Sequence, residues 1–256
     1  MIYKQLPMQK EIHILRSHGW QFVPDVKNAV LCDLFRGLPL IAEDISDAEK
    51  KALLHMCPVN AFVDEPFGID MGVCVFCKEC SFACPGKITF TNNYKIAASR
   101  REDLIIGVEQ KHMHFCSDAI RPQVRRLFKH SLKLRQVSAG GDNSCEMELN
   151  ASGNVNFDMG RYGIEFVASP RHADGIVITG PITENMAEAL EICYDATPDP
   201  KIIIVVGSDA IGGGIFADSP ALNRSFLVKH HVDLYVPGNP AHPLTFINGV
   251  LGLIGK

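Results

Sequence analysis

The sequence carries no strong excess of charge of either sign. Lys plus Arg number 25 against 29 Asp plus Glu, a net charge of −4, which argues against a nucleic-acid binder. It has no long apolar run either. The longest, Ile202 to Val206 and Leu244 to Ile254, fall short of the ~20 residues a helix needs to cross a bilayer. The start, Met1-Ile-Tyr-Lys-Gln, lacks a charged segment leading into an apolar one, so no signal peptide is expected and a cytosolic address follows. The hydrolase elbow, the H-E-x-x-H pair and the kinase set are also missing, so no self-contained active site is expected. At 256 residues, 46% apolar and 21% charged, the chain suits one large or two modest globular domains of ~100–200 residues each.

Cysteine is plentiful by contrast. There are nine, and five of them fall between Cys57 and Cys84. In a cytosolic chain cysteines stay reduced, so a metal is the first explanation to test. The dense part, Cys74-Val-Phe-Cys77-Lys-Glu-Cys80-Ser-Phe-Ala-Cys84-Pro85, is the C-x₂-C-x₂-C-x₃-C-P run of bacterial ferredoxins. Thiolates every third residue let a loop wrap one face of a cubane, and proline then redirects the chain. Zinc would more usually take two C-x₂-C pairs set well apart.

In two-cluster ferredoxins the fourth Cys of each run ligates the other cluster. The fourth ligand for Cys74, Cys77 and Cys80 is therefore sought upstream, in Met56-Cys57-Pro58. Counting back from Cys57 by the same spacing reaches Leu53, Lys50 and Asp47, none of which can anchor an iron–sulfur cluster. That stretch reads as a helix opened by the capping box Ser46-Asp-Ala-Glu49. One [4Fe–4S] cluster on Cys57, Cys74, Cys77 and Cys80 is expected, with Cys84 as an orphan buried thiol. The rival set takes Cys84 in place of Cys57. Cys32, Cys116 and Cys193 have no ligand spacing and read as buried thiols.

The second half has a different texture. Strands are predicted at Gly163–Ala168, Asp174–Thr179, Lys201–Val206 and Val232–Val236. Helices are predicted at Asn185–Tyr194, capped by Thr183, and at Leu244–Ile254. Alternating strands and helices predict a doubly wound, flavodoxin-like parallel sheet behind a bacterial-ferredoxin-like N-terminal domain. Functional loops would follow the strand C-termini. The loop Gly207 to Gly214 is Gly-rich but matches no phosphate-binding fingerprint, so close packing against a neighbour is the preferred reading. The stretch Lys111 to Arg135 is basic. It is read as a linker plus helix that could dock an acidic partner or lipid headgroups, or simply be a solvated face. His172 is read as a hydrogen-bonded structural residue, with a proton relay as the sharper option.

Phe35-Arg-Gly-Leu-Pro39, the cysteine run and Ala97-Ala-Ser-Arg-Arg-Glu-Asp-Leu104 resemble the ferredoxin-type subunit of energy-converting [NiFe]-hydrogenases and formate hydrogenlyase, which has a relative within complex I. Gly140-Gly-Asp-Asn-Ser-Cys-Glu146, Ser169 to Asp174, Thr179-Gly-Pro181, Pro198 to Lys201, Gly212 to Phe216 and Val236-Pro-Gly-Asn-Pro240 resemble the small subunit of the same complexes. The resemblance implies a fusion of two adjacent electron-transfer subunits. A ferredoxin-like domain would span 1–106, a basic linker and helix 107–136, and a small-subunit-like α/β domain 137–256. It further implies a peripheral place on the inner face of the cytoplasmic membrane, beside a hydrogenase large-subunit homologue and antiporter-like membrane subunits.

Carried over residue by residue, the four ligands of that family's proximal cluster fall on Asp142, Cys145, Asp209 and Asn239, of which only Cys145 is a thiol. Oxygen donors substitute poorly for sulfur, so this cluster is expected to be lost, as is the first ferredoxin cluster. The alternatives are a hard-cation site on those four residues and, for the whole chain, a structural adaptor role in place of electron transfer.

Overall fold

A computed structural model of the chain describes residues 8–17, 19, 22–116, 118 and 120–256. Met1 to Gln5, read above for a signal sequence, lie outside them. Among the described residues no helix is long and apolar enough to cross a membrane.

After helix α1 (Met8–Ser17) the N-terminal part runs β1 (Pro39–Ile41), α2 (Asp47–Met56), β2 (Phe62–Val63), β3 (Gly68–Asp70), α3 (Glu79–Ala83), β4 (Ile88–Phe90) and β5 (Ile105–Gly107). β1 pairs antiparallel with β4, and β2 with β3, which in turn pairs with β5. The order strand, helix, strand thus occurs twice, with the outermost strands closed onto each other.

Helix α2 forms as its sequence dictates. Ser46 Oγ accepts the N–H of Glu49 at 3.3 Å, and Glu49 Oε2 accepts the N–H of Ser46 at 2.7 Å, so two orphan donors are satisfied reciprocally. Leu53 is fully buried, while Lys50 pairs with Asp47 on the outside. Ser46→Ala is expected to cost about 1 kcal/mol, read as a Tm lower by roughly 2–4 °C.

The C-terminal part adds α4 (Pro122–Phe128), β6 (Leu132–Ser138), α5 (Ser144–Ser152), β7 (Ile164–Phe166), β8 (Gly175–Thr179), α6 (Glu184–Ala196), β9 (Ile202–Val206), α7 (Ser208–Gly212), α8 (Ser225–Lys229), β10 (Leu234–Val236) and α9 (Pro243–Ile254). The five strands are parallel in the order β10-β9-β8-β6-β7. Counted within the sheet this is the flavodoxin-like order, with its topological switch point between β6 and β8. β8 and β9 are buried at every residue, as strands covered on both faces must be. One face packs on α4, α5 and α9, the other on α6, α7 and α8.

Two elements differ from the sequence reading. β6 occupies Leu132–Ser138, across the end of the stretch 107–136 read as linker, because Leu132, Leu134 and Val137 alternate with polar residues and face the core. Thr183 stands at the N-cap of α6 but its side chain makes no cap hydrogen bond.

The two parts share their cores. Ala98 and Leu104 join one side of the sheet, and Val26, Tyr94 and Ala97 join the other. Ala98 and Tyr235 exchange two backbone hydrogen bonds. The basic stretch is largely spent inside the chain. Arg121 pairs with Asp233, Lys133 pairs with Glu165, and Arg135 lies against Cys193. Lys111, Arg126 and Lys129 remain exposed.

Candidate functional site

Cys57, Cys74, Cys77 and Cys80 line one cavity, together with apolar neighbours such as Val59, Phe62, Ile69 and Phe90. Local backbone geometry puts them there. Cys57 caps the C-terminus of α2, where its Sγ accepts the N–H of Ala61 at 3.3 Å. Phe76 and Lys78 take positive φ angles of 54° and 73°. These left-handed residues coil the loop so that Phe76 N–H points at Cys74 Sγ, again at 3.3 Å. Arg36 Nη1 holds the loop from outside by donating to the Phe76 carbonyl at 2.6 Å. Cys80 stands in the first turn of the short helix α3.

The four thiols feel one another. Burial pushes the Cys74 thiol up to about 12, against the Phe76 N–H, with lesser contributions from Cys80, Cys57 and Cys77. Burial, then Cys77, pushes Cys80 up to about 11. Four sulfurs in an apolar cavity cannot ionise together unless a cationic core compensates them. The donor set, the enclosure and the N–H groups aimed at sulfur all fit a [4Fe–4S] cluster. Among the described residues no three His, Cys, Asp or Glu side chains are placed to hold a single ion. Cubane ligands each bind a different iron and need not converge on a point.

Cys84 is not part of this cavity. It is buried at the C-cap of α3, packs with the N-terminal core and acts electrostatically on Lys87. The other cysteines divide. Cys116 is buried as expected and accepts from Arg100 at 2.7 Å, whereas Cys193 is half-buried and Cys32 is exposed, which corrects the buried reading for Cys32 and in part for Cys193. Cys32 sits on a surface turn with nothing packed over it. His172 is likewise exposed on a short turn, in neither of the roles expected for it.

At the C-terminal ends of the sheet strands, Asp142, Cys145 and Asp209 come near one another, while Asn239 is exposed in the turn after β10. Gly207 makes the space: at φ 92° it is confined to glycine, and a Cβ there would lie 2.5 Å from Cys145 Sγ. The Cys145 thiol is pushed up to about 11 by burial, against a hydrogen bond from the backbone of Ala241, with Glu146, Asp209 and Asp142 adding to the rise. Asp142 is turned away to its own loop. Its Oδ1 accepts the N–H and hydroxyl of Ser144 at 2.9 and 2.6 Å, which holds its carboxyl below the usual range. Asp209 is raised above the usual range by burial and then by Asp142, and its Oδ1 is buried without a hydrogen-bond partner. One thiol and two divergent carboxylates do not fit an iron–sulfur core, and among the described residues no three His, Cys, Asp or Glu side chains here are grouped to hold a hard cation.

The raised Asp209 gives a pH prediction. Between its unfolded value of 3.8 and its higher folded value the native state holds more proton than the unfolded one, so stability falls as pH rises through that window. Asp209→Asn is therefore expected to stabilise the chain at pH 7 by less than about 1 kcal/mol after solvent screening. No gain is expected below the unfolded value. Thermal melts at the two pH values check it.

The two regions are in direct contact. Ser208 Oγ donates to the Cys74 carbonyl at 2.5 Å. A Cβ on Gly212 would lie 2.7 Å from the Gly72 carbonyl oxygen, so the Gly-rich loop serves close packing against the cysteine loop. Arg101 clamps Asp70 with two hydrogen bonds of 2.8 and 2.6 Å. Arg224 donates to the carbonyls of Pro181, Asp209, Ala210 and Ile211, closing the C-terminal end of α7. The sequence assigned no role to Arg224, and placed Arg36, Arg101 and Ser208 only inside longer motifs, since each acts on backbone or side chains brought close only by the fold.

A sequence model of the family described as NADH ubiquinone oxidoreductase, 20 Kd subunit, matches residues 143–253. Over 120 residues, 47% of this chain and 72% of the relative, the chain is 39% identical to the probable membrane-bound hydrogenase subunit mbhJ of Pyrococcus furiosus. The chain belongs to this family. It is also 45% identical over 113 residues to an NADH-quinone oxidoreductase subunit from Heliobacterium modesticaldum, covering 44% of this chain and 65% of that one. A solved chain of an archaeal membrane-bound sulfane sulfur reductase shares 29% identity over 53% of this chain and 75% of its own length. Its TM-score of 0.45 carries no argument. The family match covers β7 to β10 of the sheet with Cys145, Asp209 and Asn239, and leaves β6 and the cysteine run outside it.

Proposed function

We propose that this chain is an iron–sulfur electron-transfer subunit of a membrane-associated oxidoreductase complex of the hydrogenase or complex I kind, with one [4Fe–4S] cluster on Cys57, Cys74, Cys77 and Cys80. The observation that carries the reading is the enclosure of those four thiols in one apolar cavity, whose loop rests through Cys74 on α7 at the C-terminal end of β9 in a 20 kDa-subunit-family chain. The paired strand–helix–strand units around it support a ferredoxin-like domain joined to the family domain in one chain.

A [4Fe–4S] cluster, when bound, supplies one-electron transfer. The chain's own residues supply the rest. The thiolates hold the group, Ala61 and Phe76 N–H groups stabilise charge on Cys57 and Cys74 sulfur, and Phe62, Ile69 and Phe90 exclude water. Arg36 and Ser208 fix the loop by its carbonyls. Asp142, Asp209 and Asn239 stand where the family's proximal cluster is ligated, so in this reading that cluster is lost. By family analogy the sheet would sit beside a large-subunit homologue and membrane subunits, on the inner face of the membrane.

Those same three residues favour a second reading, a structural adaptor whose redox role has lapsed. Anaerobic purification with iron and sulfide counts, and EPR after reduction, separates the two. About four irons per chain are expected. Twice that number would refute the loss of the proximal cluster, and none would favour the adaptor.

A further inference from the structure

A second cavity lies on the other side of the cysteine loop. It measures about 250 Å³ and is walled by Leu34, Phe35, Val75, Phe76, Ile96 and the turn Pro237 to Pro240. Its polar side chains are four, Arg36, Asn239, His242 and Thr245, and each can donate. Arg36 and Asn239 stand in its wall, His242 and Thr245 at its base, and no acidic residue lines it. The twelve-residue helix α9 begins there, and its dipole favours negative charge at this end.

Two details single this cavity out. Thr245 is 1% exposed, yet its Oγ1 has no hydrogen-bond partner among the described residues. A buried hydroxyl left unpaired costs stability, and here it belongs to a residue that lines the cavity. His242 Nδ1 accepts the Leu244 N–H at 3.1 Å, so in the neutral ring Nε2 carries the proton and is a donor. The ring is held edge-on by Phe35 and Phe157, with centroids 5.2 and 5.8 Å away. Burial keeps His242 below its usual range, hence neutral. A guanidinium, an imidazole N–H, a free hydroxyl and a helix N-terminus around apolar walls match a ligand with a charged acceptor at one end and an apolar body at the other.

We infer that this cavity binds a small organic anion, a carboxylate on a flat apolar body, with the carboxylate toward Arg36, Thr245 and the α9 N-terminus and the body against Phe35 and Phe76. The inference does not depend on the cluster, since neither the donors nor the walls are cluster ligands. It places such a ligand one loop away from Cys74 and Cys77, sharing Val75 with the cysteine cavity.

Titration calorimetry on the full chain, purified anaerobically, tests this with three probes. Benzoate is expected to bind saturably, benzamide at least about tenfold more weakly for want of the charge, and sulfate more weakly than benzoate for want of the apolar body. Arg36→Gln is expected to weaken benzoate about tenfold or more. Thr245→Val, which keeps the shape and removes the hydroxyl, should weaken it several-fold and guards against Arg36→Gln acting by loosening the loop. No saturable benzoate binding up to about 10 mM, a range that covers weak sites, would overturn the assignment. So would equal binding of benzoate and benzamide, sulfate binding as tightly as benzoate, or wild-type affinity in both variants.

Discussion

Cys57→Ala is expected to abolish the iron–sulfur signal, while Cys84→Ala keeps about four irons per chain. The two cysteines look alike in the sequence, each followed by proline, and the ferredoxin run by itself includes Cys84 rather than Cys57. Their surroundings differ. Cys57 Sγ stands on the cavity wall with Cys74, Cys77 and Cys80 and receives the Ala61 N–H. Cys84 packs among Leu53, Ile88 and other core residues, where helix α2 fills the space a first cluster would need. A cubane left with three thiolates exposes one iron and is readily lost or converted, so iron and sulfide counts with EPR on the two variants give a qualitative difference. Retention in Cys57→Ala with loss in Cys84→Ala would overturn this ligand set in favour of the rival that takes Cys84.

The largest stability effect is expected from Asp233→Ala, at about 3 kcal/mol. Asp233 enters β10 with only 3% of its side chain exposed. Its carboxylate accepts Arg121 Nε and Nη2 at 3.0 and 3.1 Å and the buried Ile203 N–H at 2.9 Å. Arg121 also reaches the Lys201 carbonyl at 2.5 Å, so one carboxylate ties the segment before α4 to the edge of the sheet. Alanine leaves the Ile203 N–H unpaired and removes two charge-assisted bonds. Arg121 is 41% exposed and can turn to water, which keeps the cost from rising further. A Tm lower by roughly 6–12 °C is expected, with a smaller loss for Asp233→Asn, which retains an acceptor for Ile203. A shift of Asp233→Ala below about 1 kcal/mol would show that the pair adds little beyond a surface bridge.

Much of the architecture was legible before the fold was seen. The buried run Ile202–Val206, the capping box at Ser46 and the closing apolar helix are local signals, and each formed within a residue or two of its expected place. β6 was missed because its Lys133, Arg135 and Gln136 dilute the apolar pattern and continue the basic stretch before it. The pairing of those charges with Glu165 and Cys193 becomes visible only once β7 and α6 lie alongside. The exposure of Cys32 could not be foreseen, since cysteine is usually buried and nothing local says which neighbours will cover it.

The sequence by itself determined the chemistry on offer: a ferredoxin-type thiol run, an upstream Cys-Pro, and Asp142, Asp209 and Asn239 with a single Cys145 in the second half. Covalent spacing fixes such things, and spacing is written in the chain. Tertiary structure alone decided which thiols share a cavity, that Cys145 fills the space left by Gly207, and that the cysteine loop rests on α7 through Ser208. It alone put Arg36, His242 and Thr245 around one cavity. Ser208 and Cys74 lie 134 positions apart, and such contacts depend on the packing of a sheet against a loop, which no local pattern encodes.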